Sequence, residues 1–339
     1  MDDLTVEVGI PTFNNSDTIK QTLESLTNQI RKPDRIIIVD NSDDGTPEIV
    51  SEFSKMSNVC VDFYKQSDRG RGVGGARQDI YDEFEGDLLL CLDTDSVVKP
   101  QWIKEHIIFH KKNQNHGILS NTSGKNREIT DPKVSDYFGQ SNCSIKKNAL
   151  DQVRGWDPWF PRGEDWDMRI RLASAGVSSY AKNEINEQRE KIGTEGEGSF
   201  FEKTLLWAQK KISAPSSALF LDKYGLWYAL FHPLHIAADF SSIVSSVLII
   251  ISPILSLMGF KSLVSGSLII SLSLPFIYMY FKGPRKRDGF DPRKSDFTAF
   301  PIFFVLSISF LISMIDSIFN RYEWNYSGFK DIDDKSADT

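Results

Sequence analysis

Residues 88–95 read Leu-Leu-Leu-Cys-Leu-Asp-Thr-Asp, an apolar run that ends on two carboxylates one residue apart. The run predicts a buried strand that delivers Asp93 and Asp95 to the edge of a sheet. Carboxylate oxygens are hard ligands suited to Mg²⁺ or Mn²⁺, and an ion held there can in turn hold a diphosphate. A second acidic group stands in Pro161-Arg-Gly-Glu164-Asp165-Trp-Asp167-Met-Arg169. Acids at a helix start are favoured by the dipole, so Glu164, Asp165 and Asp167 have a purely structural reading. Asp165 also neighbours Trp156, Trp159, Phe160 and Trp166. A carboxyl in a partly dry aromatic pocket gains the raised pKa that a general base requires.

Asp40 ends the β-branched run Arg35-Ile-Ile-Ile-Val. A carboxylate there can accept from the imide N–H of uracil or the amino group of guanine, or can serve as a turn residue in Asp-Asn-Ser-Asp-Asp-Gly. Arg69-Gly-Arg-Gly-Val-Gly-Gly-Ala-Arg77 is glycine-dense and opens a helix, which suits anion binding with Arg71 and Arg77 beside it. It is not the dinucleotide-binding pattern, because it follows a loop and lacks the downstream strand ending in an acid; a flexible loop is its alternative. His106, His110, His116, His232 and His235 show no metal-ligand spacing, and none is assigned a role.

The elements that must position these groups alternate along the first hundred residues. Thr5–Ile10 predicts a strand, and Ser16 or Asp17 can cap a helix with the apolar face Ile19, Leu23, Leu26 and Ile30. Residues 35–39 lack alternation, as in a strand covered on both faces. Pro47 suits a first helical position, with Ile49, Val50 and Phe53 on the buried side. Val59–Phe63 and Leu88–Leu92 supply further strands, so right-handed crossovers and a mostly parallel α/β sheet are expected. Ligands of such sheets bind beyond the carboxyl ends of the strands. Pro11, Thr12 and Asn14, then Asp40, then Asp68 and Arg71, then Asp93, Thr94 and Asp95 all follow strands.

Net charge is −7, from 39 basic and 46 acidic residues, and there is no basic aromatic stripe, so nucleic acid is excluded as a partner. The three cysteines (Cys60, Cys91 and Cys143) have no paired spacing and fit a reducing compartment. Cys60 and Cys91 lie in apolar runs and are expected in the core. Residues 241–260, 262–281 and 297–319 hold stretches long enough, or nearly so, to cross a bilayer, which takes roughly 17–25 helical residues. The Lys- and Arg-rich link 282–296 predicts a cytoplasmic side for itself. No signal peptide precedes the first strand, so the N-terminal domain is expected in the cytoplasm too. The expected organisation is a domain over 1–198, amphipathic interfacial helices over 199–240, a membrane region over 241–320 and an acidic tail over 321–339.

Taken together, these residues resemble the family 2 glycosyltransferases of GT-A fold, in the family's order from about Thr5 to Arg171. Pro11-Thr12-Phe13-Asn14 looks like the opening motif, Asp40 the acid that contacts the base, and Gly74-Gly75-Ala76-Arg77 the Gly-x-Ala-Arg-Asn stretch, with Gln78 where Asn is usual. Asp93-Thr94-Asp95 looks like the metal-binding acid pair, and Glu164-Asp165 the motif whose aspartate is the base. Asn142–Lys147 and Gly155–Phe160 look like acceptor-side segments, and Trp156, Trp166 and Arg169 are acceptor-side candidates.

The resemblance implies inverting transfer from a nucleotide-sugar donor, with a divalent ion and no covalent sugar intermediate. The Gln-x-x-Arg-Trp segment of processive synthases is missing, and three apolar segments at the C-terminal end look more like members acting on dolichol- or undecaprenol-linked glycans. That implies a multi-pass protein of the cell membrane, compatible with a homo-oligomer. An acceptor that is a polyprenyl monophosphate, already ionised, is the alternative. A non-catalytic membrane scaffold with a nucleotide-binding domain is another. A transporter is poorly supported, since the apolar segments hold few ionisable groups beyond Asp316.

Overall fold

The apolar runs become the centre of one sheet in a computed structural model that describes residues 4–122, 125–130 and 139–192, with Leu219, Lys223 and Tyr224. In chain order the elements are β1 (Val6–Thr12), α1 (Ile19–Thr27), β2 (Arg35–Asp40), α2 (Thr46–Met56), β3 (Cys60–Lys65) and α3 (Gly72–Glu83). Then follow β4 (Leu88–Leu92), β5 (Ser96–Val98), α4 (Trp102–Lys112), β6 (His116–Asn121), β7 (Arg127–Ile129) and β8 (Gly139–Lys146). The described part of this unit closes with α5 (Lys147–Val153), α6 (Glu164–Ser174), β9 (Ser178–Lys182), a 3₁₀ helix (Asn183–Gln188) and β10 (Arg189–Lys191). Eight strands pair in the order β3-β2-β1-β4-β8-β6-β9-β7, and β5 pairs with β10 in a separate antiparallel ribbon.

The strand pleat splits the apolar runs between two cores. Ile37, Val39, Leu89 and Cys91 face one side, where they meet Ala76 and Ile80 of α3, Leu150 of α5 and Met168 of α6. Ile36, Ile38, Leu88, Leu90 and Leu92 face the other, against Leu23 of α1, Val50 of α2 and Trp102 of α4. Each fully buried aliphatic chain contributes about 1.5–3 kcal/mol, so a strand apolar on both faces is held from both sides. That is why residues 35–39 and 88–92 show no alternation.

β1 through β4 run parallel, with Thr12 level with Asp40, Asp40 level with Lys65, and Gly9 level with Cys91. Their carboxyl ends therefore share one edge. β8 returns antiparallel, and its Asn142 opposite Leu92 brings Gln140 to that same edge.

Two expectations change at this level. Helix α1 ends at Thr27, so Ile30 is off the helix and exposed, and the residue before its first turn is Thr18, with no side-chain cap. Cys60 is exposed, not core, because β3 is the sheet's edge strand; Cys91 and Cys143 are buried, free and opposite each other on β4 and β8.

The chain divides into one unit of Met1–Thr194 with Glu323–Thr339 and another of Glu195–Tyr322. The expected interfacial helices lie, but for Leu219, Lys223 and Tyr224, outside the described residues, as do the three apolar segments and the acidic tail. Among the described residues no helix is long and apolar enough to cross a membrane.

Candidate active site

The β1 and β2 loops lock together through polar side chains. Asn14 takes a left-handed backbone (φ 53°), a conformation in which Asn is enriched. Its N–H donates to Ser42 Oγ at 2.7 Å, and its side-chain oxygen accepts from the Asp43 N–H at 3.0 Å. Asp40 is nearly buried at the end of β2 and accepts from the Ser42 hydroxyl at 2.6 Å and the Ser42 N–H at 3.1 Å. The turn reading of Asp40 is thus realised, and its carboxylate fixes the loop that surrounds it. Thr12 and Pro11 lie within β1, Thr12 buried, while Phe13 next to them exposes 62 % of its surface. An exposed ring at a strand end offers a flat apolar face to a base. Phe13 stands in the opening motif and Ser42 in the loop after Asp40, but the sequence reading gives neither a role of its own; an aromatic residue directly after a buried strand was the available signal.

Asp68 lies in the loop after β3, exposed. The glycine segment beyond it packs against residues 157–161. The Arg71 N–H donates to Pro158 O at 2.9 Å and its Nε to Trp159 O at 3.3 Å. At Gly74 an added Cβ would collide with the carbonyl oxygens of Phe160 and Asp157, and Gly72 has φ +57° against Pro161. These glycines let α3 approach a neighbouring loop.

Asp93, Thr94 and Asp95 stand just past β4. Thr94 is buried, and its carbonyl accepts from the Thr22 hydroxyl at 2.6 Å. The Ser96 hydroxyl donates to Asp95 Oδ1 at 3.2 Å, and the Ile192 N–H to the Asp95 carbonyl at 2.8 Å. The β5–β10 ribbon thus anchors the backbone of the acid pair, a long-range contact with no local sequence signal.

Helix α6 starts after Gly163, itself left-handed at φ 84°. Asp165 is half-buried, and its carboxylate accepts from the Trp166 N–H at 2.9 Å; Trp166 is also half-buried. Glu164 is buried, and its pKa is pushed up to about 8 by burial and by the Asp165 charge, against the pull of Arg77. A raised value thus occurs at Glu164, beside the residue for which the sequence suggested one.

Arg77 joins the two acidic groups. Its Nη2 lies 3.6 Å from Asp93 Oδ1, its Nε 3.5 Å from Glu164 Oε1, and its Nη1 donates to Gln140 O at 3.2 Å. Burial opposes the guanidinium charge, yet Glu164 and Asp93 raise its pKa further, so the cation persists. With 4 % of its surface exposed, Arg77 lies inside the fold between the two acidic groups rather than on the open face expected of a donor-binding group.

Two acceptor-side candidates are likewise buried. Trp156 is fully buried in the core, with its indole N–H donating to Gln140 Oε1 at 2.7 Å. Arg169 lies buried on α6 at 2 % exposure, again without a surface to offer.

Among the described residues no three His, Cys, Asp or Glu side chains form a ready-made metal cluster. The donor set still fits a divalent ion. Asp93 and Asp95 supply hard oxygens, and Mg²⁺-type ions are commonly bound by one or two carboxylates completed by substrate phosphates and water.

A sheet of this order, with acids at the carboxyl ends of its parallel strands and an acidic helix start beside them, is an α/β domain of GT-A-like fold. Residues 7–163 match the sequence profile of glycosyl transferase family 2, which ends one residue before Glu164. That stretch, a little under half of the chain, is what the chain shares with family 2 glycosyltransferases.

Among curated proteins it is similar to the "Probable glycosyltransferase YdaM" of Bacillus subtilis, at 25 % identity over 50 % of this chain and 47 % of that one. It is also similar to a poly(ribitol-phosphate) beta-glucosyltransferase of Bacillus spizizenii, at 29 % identity over 36 % of this chain and 19 % of the other. The match therefore spans less than half of either relative. Among solved structures, a mannosyltransferase from Pyrobaculum calidifontis in complex with GDP-Man and Mn²⁺ aligns with a TM-score of 0.49 and 15 % identity, covering 79 % of this chain and 86 % of that one.

Proposed function

We propose that this chain is an inverting glycosyltransferase that moves a sugar from a nucleotide-sugar donor to a polyprenyl-linked glycan at the cytoplasmic face of a membrane. The observation that carries the transferase reading is the convergence of Asp93 and Glu164 on Arg77, which sets the β4 acids beside the acidic start of α6. The lipid acceptor and the membrane rest on the three apolar segments of the sequence and on the resemblance to polyprenyl-directed members.

The chain's residues divide the reaction between them. The Asn14 and Asp40–Ser42 loops hold the nucleoside, with the Phe13 ring against the base. Asp95 and Asp93 would hold a divalent ion, which when bound neutralises charge on the departing diphosphate. Asp165 takes the proton from the acceptor hydroxyl as that oxygen attacks the anomeric carbon from the face opposite the leaving group. Glu164, held toward its protonated form near neutral pH, does not compete as a second full charge beside Asp165.

Membranes carrying the full chain, incubated with labelled UDP- and GDP-sugars, should place label in the lipid fraction as a lengthened lipid-linked glycan. Label on a lipid monophosphate alone would replace the acceptor by the polyprenyl phosphate. Nucleotide-sugar binding with no label in any acceptor would leave the scaffold reading in its place.

A further inference from the structure

We infer that Arg77 is a positioning residue that locks the β4 acid pair and the start of α6 into one unit before any ligand arrives; its catalytic consequence rests on the transferase reading above. The cation has three partners on three elements: Asp93 after β4, Glu164 at the start of α6, and the Gln140 carbonyl on β8. None of these elements is adjacent to another in sequence. The planar guanidinium hydrogen-bonds the Gln140 carbonyl while its Nε and Nη2 face the two carboxyls at ion-pair distance, an arrangement in three directions that a point-charge ammonium cannot reproduce.

The surroundings support a brace over a ligand contact. Arg77 is 4 % exposed, on a helix whose opening glycines pack its backbone against the 157–161 loop. Trp156 and the Cys91–Cys143 pair belong to the core beside that helix, so the arginine stem is clamped while its head meets the acids. Asp93 and Asp95 on the strand side and Asp165 on the helix side place carboxylates around this edge of the sheet, with Glu164 held toward its neutral form between them. Without a fixed cation, mutual repulsion would push the strand end and the helix start apart. Arg77 thus keeps the donor-side acids and the proposed base at a constant separation, and such separations govern transfer rates steeply.

The test compares the full chain in detergent with R77K and R77M, using hydrogen exchange of backbone amides first. In R77M, residues 93–96 and 163–167 are expected to exchange together at least about tenfold faster than in wild type, with β1 and β2 unchanged. R77K should fall between them, because it keeps charge without the fork. If R77M does not fold, R77K alone decides by the same segments. Wild-type exchange in both segments of a folded variant overturns the inference.

Kinetics on the sugar nucleotide that wild type turns over supplies the second readout. A fall in kcat of about 10²-fold with donor KM nearly constant supports positioning. A rise in KM with kcat intact would make Arg77 a donor contact and overturn it. Absence of turnover in wild type would count against the proposed function alone, and the exchange measurement would still decide the role of Arg77.

Discussion

Arg171 Nε donates to Asp167 Oδ2 at 2.7 Å, and both side chains are fully buried one turn apart on α6. The same guanidinium donates through Nη1 to the carbonyls of Val153 and Gly155, each at 2.8 Å. One ion pair thus ties the base helix to the turn leading into the 156–161 loop. Removing one partner of such a pair leaves an uncompensated buried charge, at a cost of about 3–5 kcal/mol. D167N and R171M are each expected to lower urea stability by an amount in that range. The double variant D167N/R171M should be less damaging than the sum of the two, and strict additivity would sink the account.

Asp165 carries the sharpest prediction about chemistry. D165N leaves the helix start intact but removes the proton acceptor, and transfer to a sugar hydroxyl should fall by about 10²–10⁴-fold. The donor KM should change little. A variant transferring at near-normal rates would remove the base assignment and favour an acceptor that is already ionised.

For the metal, excess EDTA should abolish transfer, and added Mn²⁺ or Mg²⁺ should restore it. D95N should weaken Mn²⁺ binding in the presence of UDP or GDP, read by titration calorimetry without any turnover. D93N is expected to act twice, on the ion and on the Arg77 brace, so its amides at 163–167 should also exchange faster. Full activity in chelator would contradict the role given to both acids.

Much of the sheet was legible because strand burial is written as apolar runs, and residues 35–39 and 88–92 had no other plausible fate. The acid pair was legible for the same reason: a run that stops on two carboxylates marks its own carboxyl end. Strand order is a non-local property, so the exposure of Cys60 on edge strand β3 could not be read from its neighbours. Helix α6 misled more deeply. Every residue from Asp167 to Ala173 is buried, including two arginines, whereas arginine is rarely buried unless paired. Trp156 stood close to the acids in sequence, yet its indole found Gln140 inside the core. The brace at Arg77 was hidden because its partners come from three separate elements.

The pH dependence of stability follows from two buried clusters acting in opposite senses. Ser144 Oγ lies 2.8 Å from His106 Nδ1 and 2.8 Å from His110 Nε2, and both rings are buried between α4 and β8. Burial lowers the pKa of each to about 3, aided at His106 by the charges of His110 and Lys182, and at His110 by those of Lys146 and His116. Below the unfolded histidine value near 6.5 the unfolded chain therefore binds two more protons than the native one, and stability falls as pH drops. Glu164 works the other way. Its folded value of about 8 exceeds the unfolded 4.5, so the native state holds the extra proton between those values and stability falls as pH rises. From pH 4.5 to 6.5 the two histidines outweigh Glu164, so stability rises with pH; Glu7 and Asp82, whose carboxyls burial also raises, make that rise shallower. Above 6.5 only the glutamate remains, and the slope reverses until about pH 8. Urea midpoints measured from pH 4.5 to 8.5 should pass through a maximum near 6.5. E164Q should abolish the descending limb and steepen the ascending one, while H110N should flatten the ascending limb. A wild-type profile that is level across this range would refute the assignment of both clusters.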